Sequence, residues 1–169
     1  IADIGIIGLP NAGKSSLLAA ITNANPKVAN YQFTTLNPNL GVANYDDKEV
    51  TIADIPGLVE GAHKGTGLGV QFLKHIERCK SLLHMIDITN SDLKKSYNQV
   101  KNELKNYSSK LSKKKELIVL NKTDLIEKSE VQKIIKKFSK TTKSEVISLS
   151  TLEKGSLSKI KAKLVSYAS

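Results

Sequence analysis

Short apolar segments alternate with longer amphipathic segments along this chain. Strand-like apolar runs occupy residues 2–7, 40–45, 49–55, 82–88, 117–120 and 146–149. Apolar residues recur every three or four positions in segments near residues 14–22, 68–79, 93–111, 131–138 and 157–165. That spacing forms one stripe of an α-helix. The alternation predicts a mainly parallel sheet covered by helices on both faces.

One pair of strands departs from this alternation. Only Asp46-Asp47-Lys48 separates residues 40–45 from residues 49–55, so these two strands must be antiparallel. The expected fold class is therefore α/β, with three layers and a six-stranded, mostly parallel sheet that contains one antiparallel strand. Residues 25–39 are rich in proline and asparagine and predict a long loop, which favours a functional role.

The first strand leads directly into the stretch Gly8-Leu9-Pro10-Asn11-Ala12-Gly13-Lys14-Ser15. This stretch fits G-x-x-x-x-G-K-[ST] and opens the first helix, which predicts a phosphate-binding loop. Gly8 and Gly13 permit backbone angles that let N–H groups curl around an anion. We expect Lys14 to reach the β- and γ-phosphates of a nucleotide, and the Ser15 hydroxyl to bind Mg²⁺.

The length and composition of the chain limit the classes of protein to which it can belong. The 169 residues suffice for one domain, taken as 1–169. The chain starts without Met and enters a strand at once, so we expect it to be excised from a longer chain. Neither a membrane span nor a signal peptide is predicted. The single Cys79 excludes an internal disulfide and favours a reducing, cytoplasmic location.

The net charge of +10 has two interpretations. It indicates an anionic partner such as RNA. Alternatively, most of the excess is lysine scattered after residue 90, which is also typical of ordinary solvated faces. The sequence leaves both interpretations open.

Four further segments carry a family resemblance. They are residues 31–41 (YQFTTLNPNLG), 54–62 (DIPGLVEGA), 65–69 (GTGLG) and 72–78 (FLKHIER). With the phosphate loop, they resemble the small GTPase superfamily and, within it, the G domain of the Obg family of bacterial ribosome-associated GTPases. The resemblance spans essentially the whole chain. It implies a Ras-like P-loop fold, GTP and GDP as substrate and product, Mg²⁺ as cofactor, and a monomeric G domain whose partner is the large ribosomal subunit or its RNA.

The resemblance also implies roles for residues around the phosphates. Asp54 would hold Mg²⁺ through water, Thr35 would bind the ion directly, and the Gly57 N–H would meet the γ-phosphate. The metal ligands are therefore expected to be Ser15, Thr35 and Asp54. The catalytic candidates are Lys14, Asn11, Thr35 and Gly57. The remaining nucleotide contacts are assigned to Gly8, Leu9, Pro10, Ala12, Gly13, Ser16, Phe33 and Thr34.

A second constellation, Asn121-Lys122-Thr123-Asp124, follows a buried strand and is typical of guanine recognition. The Asp124 carboxylate can accept two N–H bonds from guanine, a pair that adenine lacks. Asn121 would brace the loop, the Lys122 stem would cover the base, and Leu125 would adjoin it. The last motif of the family aligns best with Ser150-Thr151-Leu152. Ser148-Leu149-Ser150 is the alternative register.

One absence affects the expected rate of hydrolysis. Leu58 stands where Ras-like enzymes have a water-orienting glutamine, so we expect slow intrinsic hydrolysis. Our hypothesis is that Asn11 helps to hold a potassium ion against the phosphates. His63 and His75 are the other candidates for assisting the reaction. The rival functions are an ATPase with the same loop, a translation GTPase of the Era or Der type, and an RNA-binding module that keeps nucleotide as a structural support.

Overall fold

The computed structural model describes residues 2–22, 27–28, 39–55, 69–150 and 154–169. Its strands are β1 (Ile4–Gly8), β2 (Lys27–Val28), β3 (Asn39–Tyr45), β4 (Lys48–Asp54), β5 (Ser81–Asp87), β6 (Lys115–Asn121) and β7 (Glu145–Leu149). Its helices are α1 (Lys14–Ile21), α2 (Gly69–Ile76), α3 (Leu93–Tyr107), α4 (Ser109–Ser112), α5 (Lys128–Thr142) and α6 (Lys154–Tyr167). Across these ranges, no helix combines the length and the apolar character needed to cross a bilayer.

The strands form one sheet in the order β2-β3-β4-β1-β5-β6-β7. Strands β4, β1, β5, β6 and β7 are parallel, and β3 runs antiparallel to both of its neighbours. This confirms the predicted α/β sheet with one antiparallel strand. The expectation of an unbroken loop over residues 25–39 is wrong at two points. Lys27 and Val28 form a short seventh strand because the outer edge of β3 offers them unpaired backbone groups, and β3 itself begins at Asn39.

The hairpin between β3 and β4 has a tighter turn than the sequence predicts. Asp46 and Asp47 both have positive φ angles, 53° and 64°. Lys48 pairs with Tyr45 and therefore belongs to β4 rather than to the turn. Two central residues with positive φ match the right-handed twist of the flanking strands, and aspartate tolerates that conformation.

Alternate residues of the strands pack against opposite layers. Ile4 and Ile6 of β1 belong to the core beneath α1 and α6, whereas Ile7 belongs to the core beneath α2 and α3. Helix α5 covers the far end of that second face. Both faces of the sheet are therefore buried, which confirms the three-layer arrangement.

The long helix expected over residues 93–111 is interrupted. Ser108 is extended, with φ −159° and ψ 114°, and separates α3 from α4. Its hydroxyl accepts the Leu111 N–H at 3.1 Å and donates to the Glu77 carboxylate. A serine that caps a new helix competes with continuation of the old one. The apolar stripe remains buried on both sides of the break, at Leu104 and Leu111.

Candidate functional site

The carboxyl ends of the parallel strands meet at one edge of the sheet, where ligands bind in folds of this kind. The phosphate loop follows β1 there, and Asp54 ends β4. Asp87 and Asn121 end the neighbouring strands β5 and β6, and Ser150 follows β7. Five separate segments therefore bring polar groups to the same edge.

Two glycines set the shape of the phosphate loop. Gly8 and Gly13 have φ angles of +156° and +96°. A Cβ on Gly8 would lie 2.6 Å from the Met85 carbonyl oxygen, and one on Gly13 would lie 2.4 Å from Asn121 Nδ2. Between them the Ala12 N–H donates to the Leu9 carbonyl at 3.0 Å, which closes a turn. Only glycine fits at either position without displacing a neighbour.

Helix α1 begins at Lys14, directly after this loop. Leu17, Leu18 and Ile21 bury its inner face against the sheet. The helix therefore presents its N-terminal N–H groups and the positive end of its dipole beside the loop. Ser15 and Ser16 lie in its exposed first turn.

Lys14 and Asp54 meet next to the loop. Lys14 Nζ lies 3.5 Å from Asp54 Oδ1, and the two side chains are only 13% and 12% exposed. Within the described residues, Asp54 Oδ1 is buried and has no hydrogen-bond partner. Leaving such an oxygen unsatisfied is costly. A hard cation or its bound water would satisfy it, so the oxygen donors of Asp54 and Ser15 fit Mg²⁺.

Asn121 joins the phosphate loop to the end of β6. Its buried side chain donates from Nδ2 to the Ala12 carbonyl at 3.1 Å, across 109 positions of sequence. The same Nδ2 occupies the space that a side chain at Gly13 would need. One amide therefore fixes the distance between two parts of the chain that are remote in sequence.

Lys122 is held by a residue that the sequence analysis did not assign to the site. Lys122 has φ 63°, and its Nζ lies 2.8 Å from Asp87 Oδ2. Asp87 Oδ1 also accepts the N–H and the hydroxyl of Thr89, at 2.9 and 2.6 Å. Burial acts to raise the pKa of Asp87, but these hydrogen bonds outweigh it and lower the pKa. The available signal was position: Asp87 ends a buried strand and pairs in register with Asn121.

Asp124 is exposed and positioned by Ser150. The Ser150 hydroxyl donates to Asp124 Oδ1 at 2.9 Å, and Ser150 itself is 1% exposed. The Thr123 hydroxyl donates to the Leu149 carbonyl at 3.2 Å. The loop after β6 is thus attached to the end of β7. A carboxylate fixed in this way is ready to accept N–H donors from a base.

A family model described as a 50S ribosome-binding GTPase matches residues 3–122. The chain belongs to this family. It is 73% identical over all 169 residues to GTPase Obg of Pelagibacter ubique (strain HTCC1062), of which it covers 52%. It is 52% identical over 160 residues to GTPase Obg of Rickettsia rickettsii (strain Sheila Smith), 95% of this chain and 48% of that protein. These identities confirm the resemblance to the Obg family G domain, and the chain spans about half the length of these relatives.

Solved structures support the fold. The cytosolic domain of the T. maritima FeoB iron transporter in a GDP form matches with a TM-score of 0.69 and 22% identity, over 99% of this chain and 63% of that one. The G domain of the same transporter matches with a TM-score of 0.66 and 22% identity, over 98% of both chains. At this identity the likeness concerns the fold alone.

Several residues that this family resemblance implicates lie outside the described ranges. They are Phe33, Thr34, Thr35, Gly57, Leu58, His63, Thr151 and Leu152. Of the others, Asn11 is exposed in the phosphate loop, His75 lies in α2, and Leu125 is 65% exposed beside Asp124. The structure brings together the loop, Lys14, Asp54, Asn121 and Ser150.

Proposed function

We propose that this chain, as a single G domain, binds GTP and hydrolyses it slowly to GDP and phosphate, and that the bound nucleotide sets a conformation sensed by a partner. The observation that carries the proposal is the Asn121 bond to the Ala12 carbonyl. It couples a phosphate-shaped loop to a loop with the chemistry of guanine recognition. If the loop were only a glycine-rich turn before a helix, it would not need a hydrogen bond to the Asn121-Lys122-Thr123-Asp124 segment.

Guanine selectivity is assigned to Asp124. Its carboxylate accepts the N1–H and the 2-amino N–H of guanine, while Ser150 keeps the carboxylate in position. Adenine would leave the same carboxylate without those donors, and an unpaired polar group in a site of this kind lowers affinity strongly. This contrast argues against the ATPase alternative.

The phosphate end is assigned to Lys14, Ser15 and Asp54. Lys14 lies beside the loop, and its ammonium would exchange the Asp54 carboxylate for a phosphate, since their 3.5 Å separation is longer than a good hydrogen bond. Ser15 and Asp54, with Thr35 as the family resemblance implies, would hold Mg²⁺. When bound, that ion neutralises charge on the β- and γ-phosphate oxygens. The role of these residues is to position the triphosphate.

Slow turnover follows from Leu58, because leucine cannot orient a water molecule. We assign to Asn11 the role of helping to hold a potassium ion, which would supply positive charge near the phosphates. Residues 29–41 and 57–69 are expected to order around the γ-phosphate and to relax after hydrolysis.

The large ribosomal subunit, in the cytoplasm, is the proposed partner. The family description and the net charge of +10 both support an association with RNA-rich particles. The 73% identity to a GTPase Obg favours this assignment over the Era or Der type. An RNA-binding module with a structural nucleotide remains the second candidate, and it would bind RNA equally in its apo and GTP-bound forms.

The deciding experiment measures GTP hydrolysis with and without large ribosomal subunits, in potassium and in sodium buffers with Mg²⁺. We expect slow basal turnover that subunits change and that potassium accelerates. Equal rates in the two salts would remove the role of Asn11. Displacement of bound labelled GTP by ATP as effectively as by GDP would overturn the guanine assignment.

A further inference from the structure

Helix α5 carries an exposed face that is rich in lysine. Lys133, Lys136, Lys137 and Lys140 are exposed and recur at spacings of three and four, which places them on one stripe opposite the buried Val131 and Phe138. No acidic residue occurs from position 131 to 144. Within the described ranges, none of these lysines pairs with a carboxylate. The positive charge of this face is therefore not balanced by carboxylates in the described part of the chain. Like charges three or four positions apart destabilise a helix, so an anionic ligand on this face would be favourable.

The beginning of α3 repeats this arrangement. Lys94 and Lys95 are exposed in its first turn, which contains no acidic residue. Positive side chains are unfavourable at that end of a helix because the dipole is positive there. The Asp92 Oδ1 caps the helix by accepting the Lys95 N–H at 3.0 Å, and in the part of the chain that the structure describes Asp92 forms no ion pair with the ammonium of Lys94 or Lys95.

A groove of about 490 Å³ connects these two positive elements. Lys94 lines it from α3 and Lys137 lines it from α5. Polar side chains also line the groove, and Tyr97 and Phe138 contribute an apolar part. Besides the two lysines, the polar lining residues are Asn90, Ser91, Asp92, Asn98, Thr141 and Thr142, so one carboxylate also lines the groove. None of the groove residues belongs to the proposed nucleotide site.

We propose that the lysine stripe of α5, together with Lys94 and Lys95 across the groove, is a docking surface for RNA. From Lys133 to Lys140 the stripe runs for roughly 10 Å, enough for successive phosphates of one strand. Lysines supply the phosphate contacts, while amides and hydroxyls suit the ribose 2′-OH and exposed base edges. The backbone of an acidic protein segment would also satisfy these polar groups, so the choice of RNA rests on the row of lysines without carboxylate partners and on the net charge of +10.

This inference rests on the proposed ribosome-linked function for the choice of RNA as the ligand, and it is independent of nucleotide chemistry. The test titrates the chain into a fluorescein-labelled RNA hairpin with a single-stranded loop and follows anisotropy between about 50 and 200 mM salt. The variant is K136Q/K137Q/K140Q. The matched control is K105Q/K110Q/K113Q, which removes with the same change in charge three exposed lysines: one in the last turn of α3, one in α4 and one directly after α4.

We expect the α5 variant to lose affinity by about 100-fold near 0.1 M salt and to show a log–log salt slope smaller by about 2, as the loss of three contacts to a single strand requires. The control should lose much less. Both variants should bind labelled GDP like the parent chain, and the α5 variant should melt no lower, because like charges have been removed. Failure of GTP hydrolysis would therefore leave the RNA result interpretable.

Three outcomes would overturn the inference. The first is equal loss of RNA affinity in the two variants, which would indicate only diffuse charge. The second is absence of RNA binding by the parent chain at the lowest salt. The third is binding of a polyglutamate peptide at least as tight as RNA with the same dependence on the α5 lysines, which would make an acidic protein the occupant.

Discussion

The two ends of the candidate site are built differently. At the proposed guanine end, the side chains of Asn121, Lys122, Thr123 and Asp124 each form a hydrogen bond to another segment. At the phosphate end, the shape comes from two glycines with positive φ, and Asp54 Oδ1 is buried without a hydrogen-bond partner among the described residues. The end that we propose to bind the base is therefore preorganised, whereas the proposed phosphate end has a buried carboxylate oxygen that a ligand would satisfy.

This difference suits two separate tasks, selection of the base at one end of the site and binding of the triphosphate with its metal ion at the other. Selection between bases needs a carboxylate that does not move, because rejection of adenine depends on leaving it unpaired. Binding of a triphosphate and a metal ion needs groups whose own partners are weak enough to be replaced. The Lys14–Asp54 separation of 3.5 Å meets that need.

The largest effect is expected at the preorganised end. Asp124→Asn removes the charge that accepts two guanine N–H groups, and hydrogen bonds to charged groups contribute about 2 kcal/mol each. GTP affinity should fall by about 1,000-fold. Because an asparagine amide can donate to a 2-keto group, xanthosine triphosphate should bind the variant better than GTP. Equilibrium titration with labelled nucleotides measures both effects, and unchanged GTP affinity would contradict the assignment.

Gly13→Ala should break the connection between the two ends. The new Cβ would need a strained φ of +96° and would lie 2.4 Å from Asn121 Nδ2. Strain and the displaced hydrogen bond together suggest a loss of about 3 kcal/mol, or roughly 100-fold in GTP affinity. Gly155→Ala is the control, because nothing lies within 4 Å of its added Cβ and alanine favours helix α6. If both variants bound GTP normally, the coupling through Asn121 would be wrong.

A smaller effect is expected at the Asp54 carboxylate. Asp54→Asn removes a buried charge whose Oδ1 lacks a hydrogen-bond partner among the described residues, but it also removes the counter-ion of Lys14, so the two effects should offset and the melting temperature of the nucleotide-free chain should change little. Affinity for GTP with Mg²⁺ should decrease by about tenfold through the lost ion contact, while affinity measured in EDTA should change little. Thermal melts and titrations in the two buffers separate these effects. A destabilised apo chain would indicate a structural carboxylate.

How far the sequence predicts the site depends on what positions each residue. The phosphate loop and Asn121-Lys122-Thr123-Asp124 could be predicted, because fixed residue types occur at fixed spacings after apolar strands. The Asp87–Lys122 pair could not, because it depends on the register between β5 and β6. The break at Ser108 depends in the same way on its contact with Glu77, and β2 depends on the free edge of β3. Contacts between distant segments decided each of these features.

The Asp87 pair offers a weaker perturbation of the guanine end. Asp87→Asn frees Lys122, whose side chain is 42% exposed, so solvent screens much of the interaction. The expected loss is about 1 kcal/mol, or roughly fivefold in GTP affinity. Asp92→Asn is the control, since Asp92 caps α3 and affects helix stability rather than the nucleotide loop. Equal effects of the two substitutions on affinity would argue against a positioning role for Asp87.

The smallest effect is the pH dependence of that pair. The pKa of Asp87 lies below its ordinary value of 3.8 in the folded chain, so its contribution to stability is complete above that value and is lost as pH falls through the folded pKa. The difference in unfolding free energy between the parent chain and Asp87→Asn should stay constant from neutral pH down to about 4 and shrink only below it. Urea unfolding at a series of pH values measures this difference, and NMR of the Asp87 carboxyl carbon gives the titration directly. A midpoint above 3.8 would mean that the hydrogen bonds from Lys122 and Thr89 fail to outweigh burial, and the base-reading end would then be less firmly organised than its geometry indicates.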